Sequence, residues 1–172
     1  MKKTTNLALA SLLTIALAAC GGSVKRMDEP AAVQATGLLK VVESKVALSD
    51  EAQKKLADNI KFDSAAFAST IDRTISASGL VDKGAGNTLQ VTVTSIYIRG
   101  TFSAVMFGVL AGADNITGQV KVVDSSGKTL RAFEVSASYA FGGWGGGQDG
   151  IRMNYLYEKF AELTRDQLKD VK

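Results

Sequence analysis

Three segments in the second half of the sequence alternate apolar and polar residues, which is the pattern of a β-strand with one buried face. They cover residues 89–99, 115–123 and 129–141, and Asp124-Ser125-Ser126-Gly127 between the last two is typical of a hairpin turn. The side chains predicted to point inward are Leu89, Val91, Val93 and Tyr97, then Ile116, Val120 and Val122, then Phe133, Val135, Ala137 and Tyr139. Such regular alternation favours antiparallel strands with one packed face and one wet face.

The remaining segments supply one more strand and the helices that can cover such a sheet. Residues 38–48 are rich in Leu and Val and predict a strand. Asp50 to Gln53 has the spacing of a helix-capping box, and Asp63 can cap a second helix. That helix carries Phe67, Ile71 and Ile75 on one face and ends before Gly79, and a long C-terminal helix from about residue 151 has an apolar stripe of Met153, Leu156, Phe160, Leu163 and Leu168.

The fold class predicted from this order is α+β. We expect two layers: a mainly antiparallel sheet of about four strands, with the helices packed on one of its faces.

The N-terminus has the composition of a secretory signal. Lys2 and Lys3 precede residues 7–19, which are uncharged and too few to span a bilayer comfortably. The stretch ends in Leu17, Ala18, Ala19 and Cys20, which resemble the lipobox of bacterial lipoproteins. This resemblance implies cleavage before Cys20 and acylation of its thiol and its new amine. The alternative is an exported protein with one cysteine near its cleavage site.

The resemblance divides the chain into three parts. Residues 1–19 are the lipoprotein signal peptide, residues 20–35 the lipidated cysteine with a flexible tether, and residues 36–172 a single α+β domain. Two or more acyl chains give stable attachment to a membrane. An Asp after the cysteine resembles the retention signal of the inner membrane, so Gly21 favours the periplasmic face of the outer membrane.

The composition excludes several functional classes. The chain has no His and a single Cys, so a Ser-His-Asp triad and an internal disulfide are both impossible. We expect no catalytic residue, no metal and no cofactor. Two of the three excess positive charges are Lys2 and Lys3, which leave with the signal, so we expect no nucleic-acid partner.

The order of these segments resembles a family of small Gram-negative bacterial lipoproteins. The resemblance rests on SASGLVD at residues 76–82, LQVTVTSIYIRG at 89–100, and the hairpin ITGQVKVVDSSGKTLRAFEVSAS at 116–138, followed by a glycine-rich loop and a terminal helix. The family carries an uncharacterised domain, the domain of unknown function 4410. It implies an envelope location and an α+β fold, and no activity.

The glycine-rich loop at residues 142–150 contains Gly145, Gly147 and Gly150 at the spacing of a dinucleotide fingerprint. We expect a structural loop, because the preceding strand belongs to a hairpin and glycine runs match this spacing by chance. The alternatives are a partner loop or an anion or ligand site at the start of the following helix, and a dinucleotide site. Trp144, among these glycines, either anchors a partner or the lipid interface, or folds back as core.

Residues 102–113 are uncharged and include Phe102 and Phe107. We expect a buried strand end followed by a glycine turn. The alternative is a hairpin that inserts into a membrane or partner, or an oligomer contact; if exposed, residues 101–113 are the best candidate interaction surface.

The function expected is that of a lipid-anchored envelope lipoprotein that acts as a binding, adaptor or structural module, with an envelope protein as partner. The alternative is an oligomeric subunit of an envelope assembly or secretion complex, a homo-oligomer included, that uses residues 101–113 and the 142–150 loop. A third class, an enzyme acting on envelope glycans or nucleotides, lacks a base–nucleophile pair.

Overall fold

The computed structural model describes residues 20–27, 37–58, 61–142 and 147–169. Within these ranges five strands form one sheet: β1 (Cys20–Arg26), β2 (Glu43–Leu48), β3 (Thr88–Tyr97), β4 (Asp114–Val123) and β5 (Thr129–Tyr139). The helices are α1 (Asp50–Asp58), α2 (Ser64–Ala77), α3 (Thr101–Phe107) and α4 (Asp149–Lys169), with a 3-10 turn at Gly108–Ala111.

The strand order is β1-β5-β4-β3-β2. Every neighbouring pair is antiparallel except β2 and β3, which run parallel. The α+β class is therefore confirmed, with five strands where about four were predicted.

β1 is the additional strand, and it lies where the flexible tether of residues 20–35 was predicted. It pairs with β5 from Cys20 opposite Tyr139 to Arg26 opposite Phe133. Its sequence gives no alternation signal, but a ladder of backbone hydrogen bonds does not depend on apolar side chains. Residues 28–35 of the predicted tether lie outside the described residues.

Two helices cover the packed face of the sheet, as predicted. Phe67, Ile71 and Ile75 of α2 are fully buried. The stripe of α4 is also buried at Met153, Leu156, Phe160 and Leu168, and Leu163 packs against it in part. Phe67 makes edge contacts with the rings of Tyr157 and Phe160, so the two helices join through aromatic side chains.

Tyr97 does not share the inward face of Leu89, Val91 and Val93. The register of β3 against β4 shifts between Val93 and Ser95, so one residue is added to the strand. This bulge reverses the faces after it: Ile96 and Ile98 are buried, and Tyr97 is 57% exposed. The prediction for Tyr97 is wrong because alternation alone does not show a bulge.

The predicted cap at Asp63 is confirmed, whereas the cap predicted at Asp50 is wrong and the last helix begins two residues earlier than predicted. The Asp63 carboxylate accepts hydrogen bonds from the N–H groups of Ala65 and Ala66. The first helix is capped by Ser49, not by Asp50, because the Ser49 hydroxyl accepts the Ala52 N–H at 3.2 Å. The long helix begins at Asp149, so Gly150 lies in its first turn and not in the glycine loop.

The hairpin turn is confirmed, since the Gly127 N–H donates to the Asp124 carbonyl at 3.0 Å. No helix in the described parts of the chain is both long and apolar enough to cross a bilayer.

We predict that Gly118→Ala destabilises the domain. A Cβ at Gly118 would lie 3.0 Å from the Thr92 carbonyl oxygen and 3.1 Å from the Phe160 ring. Such overpacking costs about 1–3 kcal/mol. The control is Gly21→Ala in β1, where a Cβ would meet nothing within 4 Å. Urea unfolding measures both, and equal midpoints for the two variants would contradict the packing described for α4 on β4.

Candidate functional site

The segment between β3 and β4 forms an exposed apolar ridge. α3 and the 3-10 turn place Phe102, Met106, Phe107 and Leu110 in solvent, with Phe102 70% and Leu110 88% exposed. We call these four residues the apolar ridge. The rings of Phe102 and Phe107 contact each other edge to face, with centroids 6.3 Å apart. The predicted buried strand end is therefore wrong, and the segment is a helix with one fully buried side chain, Ala104.

The apolar ridge is fixed to the sheet by the side chain of Arg99, which is buried. Its Nη1 donates to the carbonyl oxygens of Gly108 at 2.8 Å and Gly112 at 2.7 Å. Its Nη2 donates to the carbonyl oxygens of Tyr139 and Phe141, both at 3.1 Å. One guanidinium therefore joins both ends of the 3-10 turn to the end of β5.

The charge of Arg99 is balanced by Asp114, the first residue of β4. The Arg99 Nη2 lies 3.0 Å from Asp114 Oδ2, and neither side chain reaches solvent. A second buried guanidinium, that of Arg152 in α4, donates from Nη1 to the same carboxylate at 2.8 and 3.0 Å. Arg152 also donates to the carbonyl oxygen of Arg99 at 3.2 Å. Asp114 is thus shared between two arginines from two different elements.

Asp149 provides the second negative charge at the edge of this network. Its carboxylate pairs with Arg152, with the Lys61 amine at 2.9 Å, and accepts the Thr101 hydroxyl at 3.0 Å. Partial burial disfavours the ionised form, but hydrogen bonds from Lys61, Arg152 and Thr101 outweigh it and hold the pKa of Asp149 below its usual value. Asp149 therefore fastens the first residue of α3 to the first turn of α4.

Close backbone contact holds the other side of the apolar ridge. A Cβ on Gly142 would collide with the Ala104 carbonyl oxygen and with Gly108, so only glycine fits where the chain leaves β5. Gly108 itself has a φ of +52°, which glycine adopts without strain. Glycine is therefore required at position 142, the start of the glycine-rich loop, because the backbone packs closely against α3 there.

A groove of about 340 Å³ runs beside the apolar ridge. Tyr97, Ser103, Phe107 and Leu110 contribute to its walls, with the buried Arg99 behind them. The exposed Tyr97 created by the β3 bulge thus extends the apolar surface from the helix to the end of the sheet.

The structure brings only some of the predicted site residues together. Phe102 and Phe107 lie on the apolar ridge, Gly147 is buried, and Gly150 is in α4. Trp144, Gly145 and the lipobox residues Leu17, Ala18 and Ala19 lie outside the described residues. β5 is antiparallel to both of its neighbours, so the glycine spacing does not follow a strand of a βαβ unit.

The buried charges Arg99, Asp114 and Arg152 were missed by the sequence analysis. The sequence does carry a signal for two of them. Asp114 is in phase with the inward residues Ile116, Val120 and Val122 of β4. Arg152 is in phase, at i and i+4, with the apolar stripe of α4.

The family assignment follows from a match over most of the domain. The model of the family described as Domain of unknown function (DUF4410) matches residues 21–143. The chain belongs to this family. The predicted resemblance to it is confirmed, and no activity comes with it. No curated protein matches the chain.

Several solved structures resemble the fold at low identity. A PelC dodecamer from Paraburkholderia phytofirmans is 16% identical, with a TM-score of 0.47, over 88% of this chain and 99% of that chain. A variant of the same dodecamer in another crystal form is 14% identical, with a TM-score of 0.49, over 86% and 98%. A minor lipoprotein from Acinetobacter baumannii is 12% identical, with a TM-score of 0.38, over 73% and 91%.

We predict that Asp114→Asn is strongly destabilising, by about 3–5 kcal/mol, because it leaves two buried guanidinium groups without a full counter-charge. The matched control is Glu51→Gln, the same change of carboxylate to amide in the exposed pair of Glu51 with Lys55, which we expect to cost about 0.3–0.5 kcal/mol. Urea unfolding measures the decrease in the free energy of unfolding for each variant. Hydrogen exchange should show faster opening of residues 101–111 in Asp114→Asn. Similar small losses for both variants would contradict the role given to Asp114.

Proposed function

We propose that this protein is a lipid-anchored envelope protein, acylated at Cys20 on the periplasmic face of the outer membrane, that acts by binding. The observation that carries the proposal is the apolar ridge, an exposed apolar surface held in a fixed conformation by buried ion pairs. Soluble domains rarely keep large apolar side chains clustered in water without a partner. A surface held this firmly is suited to recognition, because little conformational freedom is lost when it binds.

The lipid anchor is supported by the residues that precede the domain. A charged start, an apolar stretch and the Leu-Ala-Ala-Cys sequence end at the first residue of β1. Cleavage at this point would release the domain with Cys20 as its first residue and with all five strands intact.

Binding is favoured over catalysis by the state of the carboxylates near the groove. Asp114 is fully engaged by Arg99 and Arg152, and Asp149 by Lys61 and Arg152. Both carboxylates therefore hold structure together and are poorly placed to exchange protons with a substrate. This is the reason to prefer a binding module to an enzyme acting on glycans or nucleotides.

We predict that Cys20→Ser abolishes acylation, because the serine hydroxyl does not replace the thiol as acyl acceptor. In the native host the variant should accumulate as precursor with residues 1–19 attached, whereas Ser23→Ala, three residues along β1, should be processed normally. Intact-mass measurement and membrane fractionation give the result. Mature, membrane-bound Cys20→Ser protein would contradict the proposal.

A second candidate function, a subunit of a self-assembled envelope complex, is favoured by the edges of the sheet. In the described part of the chain, β1 and β2 each pair on one side only. Edge strands of this kind can accept a strand from another chain, and the two edges lie on opposite sides of the domain.

If copies assemble in this way, the acylated protein in mild detergent should show one fixed multiple of the protomer mass over a wide range of concentrations. Multi-angle light scattering measures it. The N–H of Arg26 points away from β5, because that of Met27 donates to the Ala132 carbonyl oxygen. Introducing proline there, as in Arg26→Pro, should reduce the mass to that of one protomer, while Ser125→Pro in the hairpin turn should not. A monomeric parent protein would exclude this second candidate.

A further inference from the structure

We propose that the apolar ridge lies in the lipid–water interface of the same membrane that holds the acyl chains of Cys20. The partner is thus a phospholipid surface, and not a second protein. This inference rests on the proposed acylation of Cys20 and names what the apolar ridge binds.

The register of the sheet places Cys20 and the apolar ridge at the same end. Cys20 is opposite Tyr139 on β5, and Tyr139 is opposite Asp114 on β4. Neighbouring strands lie about 4.8 Å apart, so the Cα atoms of Cys20 and Asp114 are separated by about 10 Å. Asp114 binds Arg99, whose guanidinium holds the Gly108 carbonyl oxygen of the 3-10 turn.

The connection between the acylated residue and the domain is short. β1 begins at Cys20 and pairs with β5 from its first residue. No tether separates the acylated residue from the sheet, so this end of the domain is held within a few residues' length of the bilayer surface. An interfacial segment binds with its apolar side chains about 5–10 Å into the boundary between headgroups and acyl chains, which an anchor of this length permits.

The two ends of the sheet differ in the number of large apolar side chains that they expose. The end with Cys20 exposes six large apolar side chains, four of them aromatic: Tyr97, Phe102, Met106, Phe107, Leu110 and Phe141. The opposite end carries the hairpin turn at residues 124–127, the exposed side chains of Lys83 and Lys128, and two exposed large apolar side chains, Leu38 and Val81. Phe and Leu are typical of the apolar face of helices that lie in the membrane interface, and Tyr is favoured at the level of the lipid headgroups.

The position of the apolar ridge also disfavours a second copy as its partner. Copies anchored in one leaflet share the same orientation relative to the membrane and can meet only side by side. Because the apolar ridge lies at the end of the sheet that carries Cys20, it points towards the lipid surface in every copy and not towards a neighbouring copy.

The test uses the acylated mature protein in vesicles of phosphatidylethanolamine and phosphatidylglycerol that contain a lipid brominated in its acyl chains. Trp144→Phe removes the native tryptophan, and one new fluorophore is then introduced by Leu110→Trp on the apolar ridge or by Ser125→Trp in the hairpin turn. Both positions are exposed, so neither substitution disturbs the core.

We expect brominated lipid to remove about half or more of the Leu110→Trp emission and to shift it to the blue, since the ring would sit among acyl chains. The Ser125→Trp emission should not change. Adding Phe102→Ser and Phe107→Ser should weaken the quenching of Leu110→Trp without releasing the protein from the vesicles.

Failure of the proposed anchor and failure of the membrane contact give different results in this experiment. Intact mass and flotation report whether the protein is acylated and membrane-bound; failure here would overturn the proposed anchor and the inference together. Acylated, floating protein with equal, unquenched emission from both positions would overturn the inference alone. Crosslinking of one copy to another through the apolar ridge would overturn it too.

Discussion

Two guanidinium groups share the carboxylate of Asp114 in the interior of this protein, and the arrangement around the apolar ridge depends on that contact. Arg99 follows β3, Asp114 opens β4 and Arg152 lies in the second turn of α4, so one carboxylate connects three elements far apart in sequence. Burying such charges is unfavourable unless each finds a partner. Here Asp114 and Asp149 together balance the two arginines, and the remaining donors of Arg99 bind backbone carbonyl oxygens at the end of β5 and next to the 3-10 turn.

The consequence is a rigid support for side chains that do not belong to the core. Ala104 is the only side chain of α3 that is buried, and a single alanine contributes little to holding a helix. The helix is held instead at its first residue through Asp149 and just after its last residue through Arg99. Its apolar side chains are thereby free to face outward, at the end of the sheet where β1 and Cys20 begin.

Most of the fold could be predicted because it depends on local periodicity. β4 and β5 alternate as expected, and the buried faces of α2 and α4 follow the 3.6-residue repeat. The bulge in β3 and the pairing of β1 with β5 could not be predicted from the sequence, because both depend on hydrogen bonds between strands that are distant in sequence. The exposure of the apolar ridge was not predicted for a related reason. An uncharged run of residues is buried only if the packed face of the sheet is open to it, and α2 and α4 already cover that face.

A direct measurement of the gap between the domain and the bilayer tests this account. Neutron reflectometry on a supported bilayer that carries the acylated protein gives the density profile along the membrane normal. The account predicts protein density that begins in the headgroup layer, with no water layer beneath the domain. A flexible tether over residues 20–35 would instead hold the domain away by about 20 Å, and a hydrated gap of that thickness would contradict the placement of the apolar ridge on the membrane.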